Sequence, residues 1–249
     1  MNFALAVASL WEREMKRFFR DRARVIGAIA PPVLFWFLIG SGLGPKVLQY
    51  YFSGTLVLIV LFTAVFATIS IIDDRKEGFL QSVLVSPAPR LAVVMGKVLG
   101  AATVGFVEGL FFLVFARAVG FPAGLADYVW AVLVLALCAL GLTGIGFCIA
   151  WSMESTQGFH AVMNLFLIPL WMLSGALFPA STAPVWLRWV MRINPVTYAV
   201  VGLQEALSPM RAGGGAAFAS LSSCLIILAG FSAAILAFSA WLAGAGTAA

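Results

Sequence analysis

Six long apolar runs, separated by polar, glycine-rich or proline-rich residues, constrain the fold of this chain more than any other feature. A helix of about 20 apolar residues is about 30 Å long, which matches the hydrocarbon core of a bilayer. Because 63% of the residues are hydrophobic and only 10% are charged, a water-soluble core of this size is excluded. The sequence therefore predicts an all-α integral membrane protein. The six predicted transmembrane helices are residues 25–43, 53–72, 91–119, 128–151, 159–178 and 218–242.

The distribution of basic residues predicts the orientation of these spans. Most of the 15 lysine and arginine residues precede residue 100. The positive-inside rule assigns ten of them to the cytoplasm, at positions 13, 16, 17, 20, 22, 24, 75, 76, 90 and 97, and the five at 46, 117, 188, 192 and 211 lie outside or near it. Six spans then place both termini in the cytoplasm. The net charge of +5 is explained by this topology, so no nucleic-acid partner is predicted.

The first 24 residues predict an amphipathic helix that lies on the membrane surface. Apolar side chains from Phe3 to Phe18 recur at helical spacing, while the arginines and Lys16 fall largely on the other side. Two interpretations remain open for this helix: a lipid-surface anchor, or a contact with a partner protein.

Residues 73–97 form the one long polar interruption in the first half of the chain. Charges crowd its start, and prolines at 87 and 89 end the helical pattern. Four apolar side chains at helical spacing lie between them: Phe79, Leu80, Val83 and Leu84. This segment is too short to span a bilayer, so it is interpreted as a docking helix.

Residues 179–215 predict a different kind of break. Apolar pieces of about ten residues are divided by Pro184, Pro195 and Pro209. Neither piece is long enough to span, so two short half-helices that enter and leave one leaflet are predicted. Such helices need their backbone ends to be sheltered by protein or by a wet cavity.

No residue pattern predicts catalysis, a metal site or a nucleotide site in this chain. There is no GxxxxGK[ST] loop, and the three cysteines lie separately in apolar runs without a nearby histidine cluster. We therefore expect no catalytic residue, no metal and no cofactor bound by the chain itself.

Glu108 is the most costly charge to bury, because it lies near the middle of the third predicted span. Three interpretations remain open. It is a substrate-facing or gating group, a structural partner of Arg117 or of a polar residue on a neighbouring helix, or a proton-coupling carboxylate.

Glycine spacing predicts close helix contacts around the same span. Gly96, Gly100, Gly105 and Gly109 include two GxxxG spacings, which let helices approach closely. The contacts lie either within the chain or at a seam between two copies.

Two stretches resemble the permease subunits of type-2 ATP-binding cassette (ABC-2 type) exporters, the family of daunorubicin-type, lipo-oligosaccharide and polysaccharide export systems. The first, EGFLQSVLVSPAPRLAVVMGKVLG, is similar to the family pattern of Glu, Gly, a Leu-rich short helix, Ser-Pro, Arg and Gly-Lys. The second, LSGALFPASTAPVWLRWVMRINPVTYAV, is similar to SG-x-x-F-P, a Trp-Leu pair and Asn-Pro-x-Thr-Tyr. The resemblance extends over nearly the whole chain.

The resemblance implies a single transmembrane permease domain over residues 1–249. Its expected parts are a cytoplasmic interfacial helix (1–24), spans 1 and 2 (25–72), a coupling element (73–90), spans 3 to 5 (91–178), an outer re-entrant region (179–217), and span 6 with its tail (218–249). The residues implied in ATPase coupling are Glu77, Gly78, Phe79, Leu80, Val83, Leu84, Ser86, Pro87 and Arg90. Those implied in a substrate path or gate are Glu108, Arg188, Arg192, Asn194, Pro195 and Tyr198.

The resemblance also implies partners and an activity. A separate cytoplasmic ATPase subunit would bind ATP and magnesium, and a second permease copy, identical or related, would complete the complex. The expected location is a bacterial-type plasma (inner) membrane, in contact with lipid, and the expected activity is export of an amphipathic, lipid-like or glycan substrate. Two alternatives remain: a membrane scaffold or assembly protein without transport, and a proton-coupled secondary transporter that uses Glu108.

Overall fold

A computed structural model of the chain describes residues 2–20, 22–85, 89–180, 182–207 and 218–245, and no strand occurs in these ranges. The helices are α1 (Phe3–Arg20), α2 (Arg22–Leu43), α3 (Pro45–Ala67), α4 (Ser70–Lys76), α5 (Phe79–Leu84), α6 (Arg90–Leu113), α7 (Leu125–Trp151), α8 (Thr156–Trp171), α9 (Val185–Ile193), α10 (Pro195–Leu207) and α11 (Leu221–Ala245). A 3₁₀ turn (Val114–Ala116) extends α6, and a π-helical turn (Met172–Ala176) extends α8. The all-α prediction is confirmed.

Five helical segments of the described chain are long and apolar enough to cross a membrane. They are Pro45–Lys76, Arg90–Ala116, Leu125–Trp151, Thr156–Ala176 and Leu221–Gly244. These correspond to the second through sixth predicted spans. The first predicted span, residues 25–43, coincides with α2, whose apolar part Ile29–Gly42 is shorter. The count of six spans therefore stays a prediction.

Because the first two spans are predicted at 25–43 and 53–72, residues 44–51 between them are expected to form a short outer loop, but they are helical except for Gly44. That prediction was wrong because Pro45 occupies the first position of α3, where its fixed φ suits a helix start. Gly44 makes the turn alone with φ 98°, a conformation that favours glycine. The Tyr50 hydroxyl donates to the Gly175 carbonyl at 2.8 Å, and Tyr51 donates to Leu177 at 3.4 Å. The two tyrosines thus connect the start of α3 to the end of α8.

The core is built around α3, most of whose side chains are buried. It packs closely on α6, because a Cβ atom added at Gly105 would lie 2.9 Å from the Cβ of Ala64. A Cβ atom at Gly100 would lie 2.6 Å from the Cβ of Glu14 on α1. Both GxxxG spacings therefore serve contacts within this chain, because small residues permit close helix approach.

The two short helices predicted from the proline-rich region are present as α9 and α10. Asn194 joins them: its side-chain amide donates to the Leu170 carbonyl at 2.6 Å, and its side-chain oxygen accepts from the Val196 backbone N–H at 2.9 Å. Pro195 begins α10 and needs no hydrogen bond there. The Tyr198 hydroxyl donates to the Arg192 carbonyl at 2.7 Å. The Asn-Pro-x-Thr-Tyr sequence thus provides hydrogen-bond partners for backbone groups at the α9–α10 junction and at the end of α8. Half-helices need such partners at their ends.

The bundle has two distinct ends, set by the length of the α3–α4 segment. Tyr50, near its start, contacts the residues that lead to α9, and Asp74, near its end, contacts α1. Asp74 lies 24 positions after Tyr50, which corresponds to about 36 Å of helix. We call these the α9 end and the α1 end.

Candidate coupling site

Three helices meet at the α1 end through a cluster of charged side chains. This ion cluster consists of Arg13, Glu14 and Arg17 on α1, Asp73 and Asp74 on α4, and Lys97 on α6. Three cations therefore face three carboxylates. Because each helix contributes at least one charge, the cluster fixes α1 to both of its neighbours.

Asp74 is the centre of the ion cluster, and its side chain is 0% exposed. Arg13 donates to both of its carboxylate oxygens at 2.7 Å, and Arg17 donates to Oδ1 at 2.7 Å. Two-pronged Arg–carboxylate bonds of this kind are strong and directional. The hydrogen bonds to Asp74 raise the pKa of Arg13 above its usual value, so this guanidinium stays charged.

Lys97 completes the ion cluster from α6, and its side chain is only 2% exposed. Its ammonium donates to Asp74 and, at 2.5 Å, to Glu14. A buried ammonium is stable only when carboxylates surround it in this way. The sequence prediction used Lys97 as a marker of topology and missed this role. The available signal was a single lysine inside an apolar run that follows two adjacent aspartates.

The short helix predicted in this segment is present as α5. Gly78 directly precedes it with a φ of 75°. Its apolar side faces the protein: Leu80 is buried, Phe79 and Val83 pack on the core, and the Arg13 guanidinium lies 3.7 Å from the centre of the Phe79 ring. These residues therefore attach α5 to the bundle and do not form its open surface. That surface comprises Gln81 and Ser82 of α5 and Val85, the residue directly after the helix, and all three are exposed. The sequence pattern placed these apolar side chains on one side of a helix but did not show whether that side contacts the protein itself or a partner.

The other predicted coupling residues have varied positions. Glu77 is exposed and lies 3.7 Å from the Arg17 guanidinium. Arg90 begins α6 and donates to the Gly244 carbonyl on α11 at 3.1 Å. Ser86, Pro87 and the side chain of Leu84 lie outside the described part of the chain.

Arg75 ties the same region to the end of α7. Its guanidinium donates to the Met153 carbonyl at 2.9 Å and to the Trp151 carbonyl at 2.6 Å. Cations near a helix C-terminus satisfy its free carbonyls and its dipole. The α4–α5 segment is thus bonded to α1, α6 and α7 at once.

An open cleft of about 820 Å³ lies between α1 and the α4–α5 turn. We call it the basic cleft, since four of its seven lining side chains are cationic: Ser9, Glu12, Arg13, Lys16, Arg17, Arg20 and Glu77. It lies on the polar side of α1, away from the apolar stripe of Trp11, Met15 and Phe19. Its charge suits a carboxylate-rich protein surface.

The predicted substrate-path residues do not form one site. Arg188, Arg192, Asn194, Pro195 and Tyr198 lie at the α9 end, whereas Glu108 is 4% exposed in the C-terminal third of α6. The Thr63 hydroxyl on α3 donates to Glu108 Oε2. Over the described residues, Oε1 has no hydrogen-bond partner and no ion pair joins Glu108 to Arg117. The geometry favours the structural interpretation, with Thr63 as the neighbouring polar residue.

Glu108→Gln is expected to leave the free energy of unfolding within about 1 kcal/mol of wild type, because the amide oxygen still accepts from Thr63. Glu108→Ala should cost about 2–4 kcal/mol, because it leaves a cavity and an unpaired hydroxyl. Thermal unfolding in nanodiscs measures both. Equal destabilisation by the two variants would contradict the structural role, and transport by Glu108→Gln that equals wild-type transport at every pH tested would exclude proton coupling through Glu108.

A groove of about 460 Å³ between α2, α3 and α8 was not predicted. Its walls are mostly aromatic and aliphatic, with the polar side chains of His160 and Asn164 on α8. The centre of the His160 ring lies 5.0 Å from that of Phe66. No local sequence pattern indicated the groove, because its walls come from three separate helices.

Comparison with known proteins adds to this geometry. The family model described as ABC-2 type transporter matches residues 6–208. Nodulation protein J of Sinorhizobium fredii is 25% identical over 224 residues, which cover 84% of this chain and 83% of that protein. The putative transport permease ycf38 of Cyanophora paradoxa is 25% identical over 188 residues, 71% of this chain and 65% of that protein. The linearmycin resistance permease protein LnrN of Bacillus subtilis is 28% identical over 182 residues, 71% of this chain and 45% of that protein.

Proposed function

Because this chain belongs to the ABC-2 type transporter family, we propose that it is the transmembrane permease subunit of an ATP-driven exporter. The match over residues 6–208 carries the proposal. In this function the chain performs no chemistry of its own. A separate ATPase subunit binds ATP and magnesium, and two permease copies form the channel within a bacterial-type inner membrane.

The α1 end is the proposed contact with the ATPase and faces the cytoplasm. The exposed side of α5, formed by Gln81, Ser82 and Val85, lies next to the basic cleft. A partner that binds both surfaces moves α5 as a unit, because Phe79 and Leu80 hold the other side of the helix in the protein. The bonds of Arg75 and of the ion cluster then pass that movement to α7, α1 and α6.

The groove between α2, α3 and α8 is the proposed path for the substrate. Its volume of about 460 Å³ falls in the range of ligand sites, and its apolar walls suit the hydrocarbon part of an amphipathic molecule. His160 and Asn164 provide polar contacts for a head group or sugar. Large apolar side chains on α2 and α8, such as Phe37 and Phe166, are exposed beside it. A second copy that covers these helices would enclose the path.

Val85→Glu is expected to reduce recovery of the co-expressed ATPase subunit with the purified permease by tenfold or more. The side chain is 86% exposed on the open side of α5, so a carboxylate there meets the partner and not the core. Loss of about 1.4 kcal/mol of binding is enough for a tenfold effect. Affinity purification followed by quantitation of the ATPase measures it.

Leu125→Glu is the matched control, because this apolar residue is 85% exposed at the start of α7. It should retain the ATPase and leave thermal unfolding unchanged. Full recovery with Val85→Glu would contradict docking at α5. Substrate-stimulated ATP hydrolysis by the wild-type complex separates a permease from a scaffold, for which no stimulation is expected.

A further inference from the structure

The surface of α9 has three distinct strips. Leu187 and Met191 are buried and pack against Ala183 and Leu173. Val190 is half-buried, and the other six side chains of this nine-residue helix are exposed. They divide into an apolar strip and a basic strip, which makes α9 amphipathic on its exposed surface as well.

The apolar strip consists of Val185, Trp186, Trp189 and Ile193, all exposed. At 100° per residue these four positions fall within an arc of about 100°. The basic strip, Arg188 and Arg192, lies beside it, and one helical turn separates the two arginines. Tryptophan beside arginine is typical of a helix that lies in the interface between lipid tails and head groups.

The position of α9 fits such an interface. It lies at the opposite end of the bundle from α1, at a distance of about 36 Å along the α3–α4 segment. The head-group regions of a bilayer are separated by about the same distance. When the apolar stripe of α1 lies at one surface of the membrane, α9 therefore lies at the other.

The two arginines of α9 differ from those of α1 in their partners. Arg13 and Arg17 bind carboxylates, whereas no carboxylate in the described chain lies within ion-pair distance of Arg188 or Arg192. The Arg192 guanidinium lies 5.0 Å from the centre of the Trp189 ring, which keeps it beside the apolar strip. Two adjacent, exposed guanidinium groups match the geometry and charge of a phosphate.

We propose that α9 lies in the head-group region of the leaflet opposite α1 and that Arg188 and Arg192 together bind the phosphate of an anionic phospholipid. Trp186 and Trp189 insert at the boundary between tails and head groups. The apolar strip contacts the lipid tails, and the basic strip favours lipids with an anionic head group. This contact does not depend on the ATPase subunit.

Quenching by brominated lipid tests the contact directly. The full chain is reconstituted in phosphatidylcholine nanodiscs that contain the same small fraction of brominated phosphatidylglycerol or brominated phosphatidylcholine. The difference between wild type and Trp186→Phe/Trp189→Phe isolates the fluorescence of these two exposed residues. Each arginine should enrich phosphatidylglycerol roughly fivefold, so its brominated form should quench severalfold more than brominated phosphatidylcholine.

Arg188→Gln/Arg192→Gln should make the two lipids quench equally, while Lys46→Gln at the same end should preserve the difference. Equal quenching in the wild type would overturn phosphate binding. Absence of quenching by either lipid would overturn the position of α9 and indicate that protein or water covers it. Loss of the preference in Lys46→Gln would assign it to the general charge of this end and not to α9.

Discussion

Asp74→Asn is expected to release α1 from the bundle and to abolish transport. The substitution leaves Arg13, Arg17 and Lys97 without the carboxylate that all three share. Lys97 stays buried with Glu14 as its remaining acidic partner. Loss of one partner in a buried ion pair costs about 3–5 kcal/mol. Thermal unfolding of the purified permease and transport by the reconstituted complex measure the two effects.

Asp73→Asn is the matched control, because Asp73 is partly exposed and meets Arg17 at 3.1 Å. An exposed pair contributes about 0–1 kcal/mol, so this variant should resemble wild type. In Asp74→Asn/Lys97→Met the buried ammonium is also removed, and part of the stability should return. Equal unfolding temperatures for Asp74→Asn and Asp73→Asn would show that the ion cluster does not stabilise the fold.

Gly100→Val is expected to separate α1 from α6 without removing any charge. A Cβ atom at this position would lie 2.6 Å from the Cβ of Glu14, which is too close for the present packing. Overpacking of this kind costs about 1–3 kcal/mol. Displacement of α1 exposes the peptide bonds around Arg13 and Arg17. The same loss of stability predicts that trypsin should cut there roughly 5- to 150-fold faster.

Gly230→Val provides the comparison, because this glycine of α11 has no atom within 4 Å of the added Cβ. It should be cut at the wild-type rate. Should trypsin cut Gly100→Val no faster than Gly230→Val, close packing of α1 on α6 would not be what protects the helix. Loss of ATPase coupling in Gly100→Val with normal expression would show that the position of α1 matters to function.

The spans were predictable because apolar composition and length decide them locally. The prediction of 128–151 differs from α7, Leu125–Trp151, by three residues at one end. The side of α5 that faces the core was not predictable, since four apolar residues on one side indicate burial but not what covers them. The prediction of a short loop at 44–51 was wrong. The polar and aromatic residues there suggested the membrane–water interface, whereas Pro45 suits the first position of a helix.

The sites depend on residues far apart in the sequence, and this explains what the sequence analysis missed. Thr63 lies 45 positions before Glu108, so the partner that favours a structural role had no local signal. Arg13 and Asp74 are 61 positions apart, and the helices α2 and α3 lie between them in the sequence. The charges of Arg13, Asp74 and Lys97 meet because α1, α4 and α6 pack together in the folded protein.

The order of synthesis gives the ion cluster a second consequence. Arg13 and Arg17 emerge from the ribosome 61 and 57 residues before Asp74, and Lys97 follows Asp74 by 23 residues. The arginines therefore lack Asp74 while the first predicted spans enter the membrane, when positive charge directs insertion. They are neutralised later, once the helices have assembled. With the α1 end in the cytoplasm, as proposed, the same side chains direct insertion first and stabilise the finished bundle afterwards, so Asp74→Asn should weaken assembly while leaving the direction of insertion unchanged.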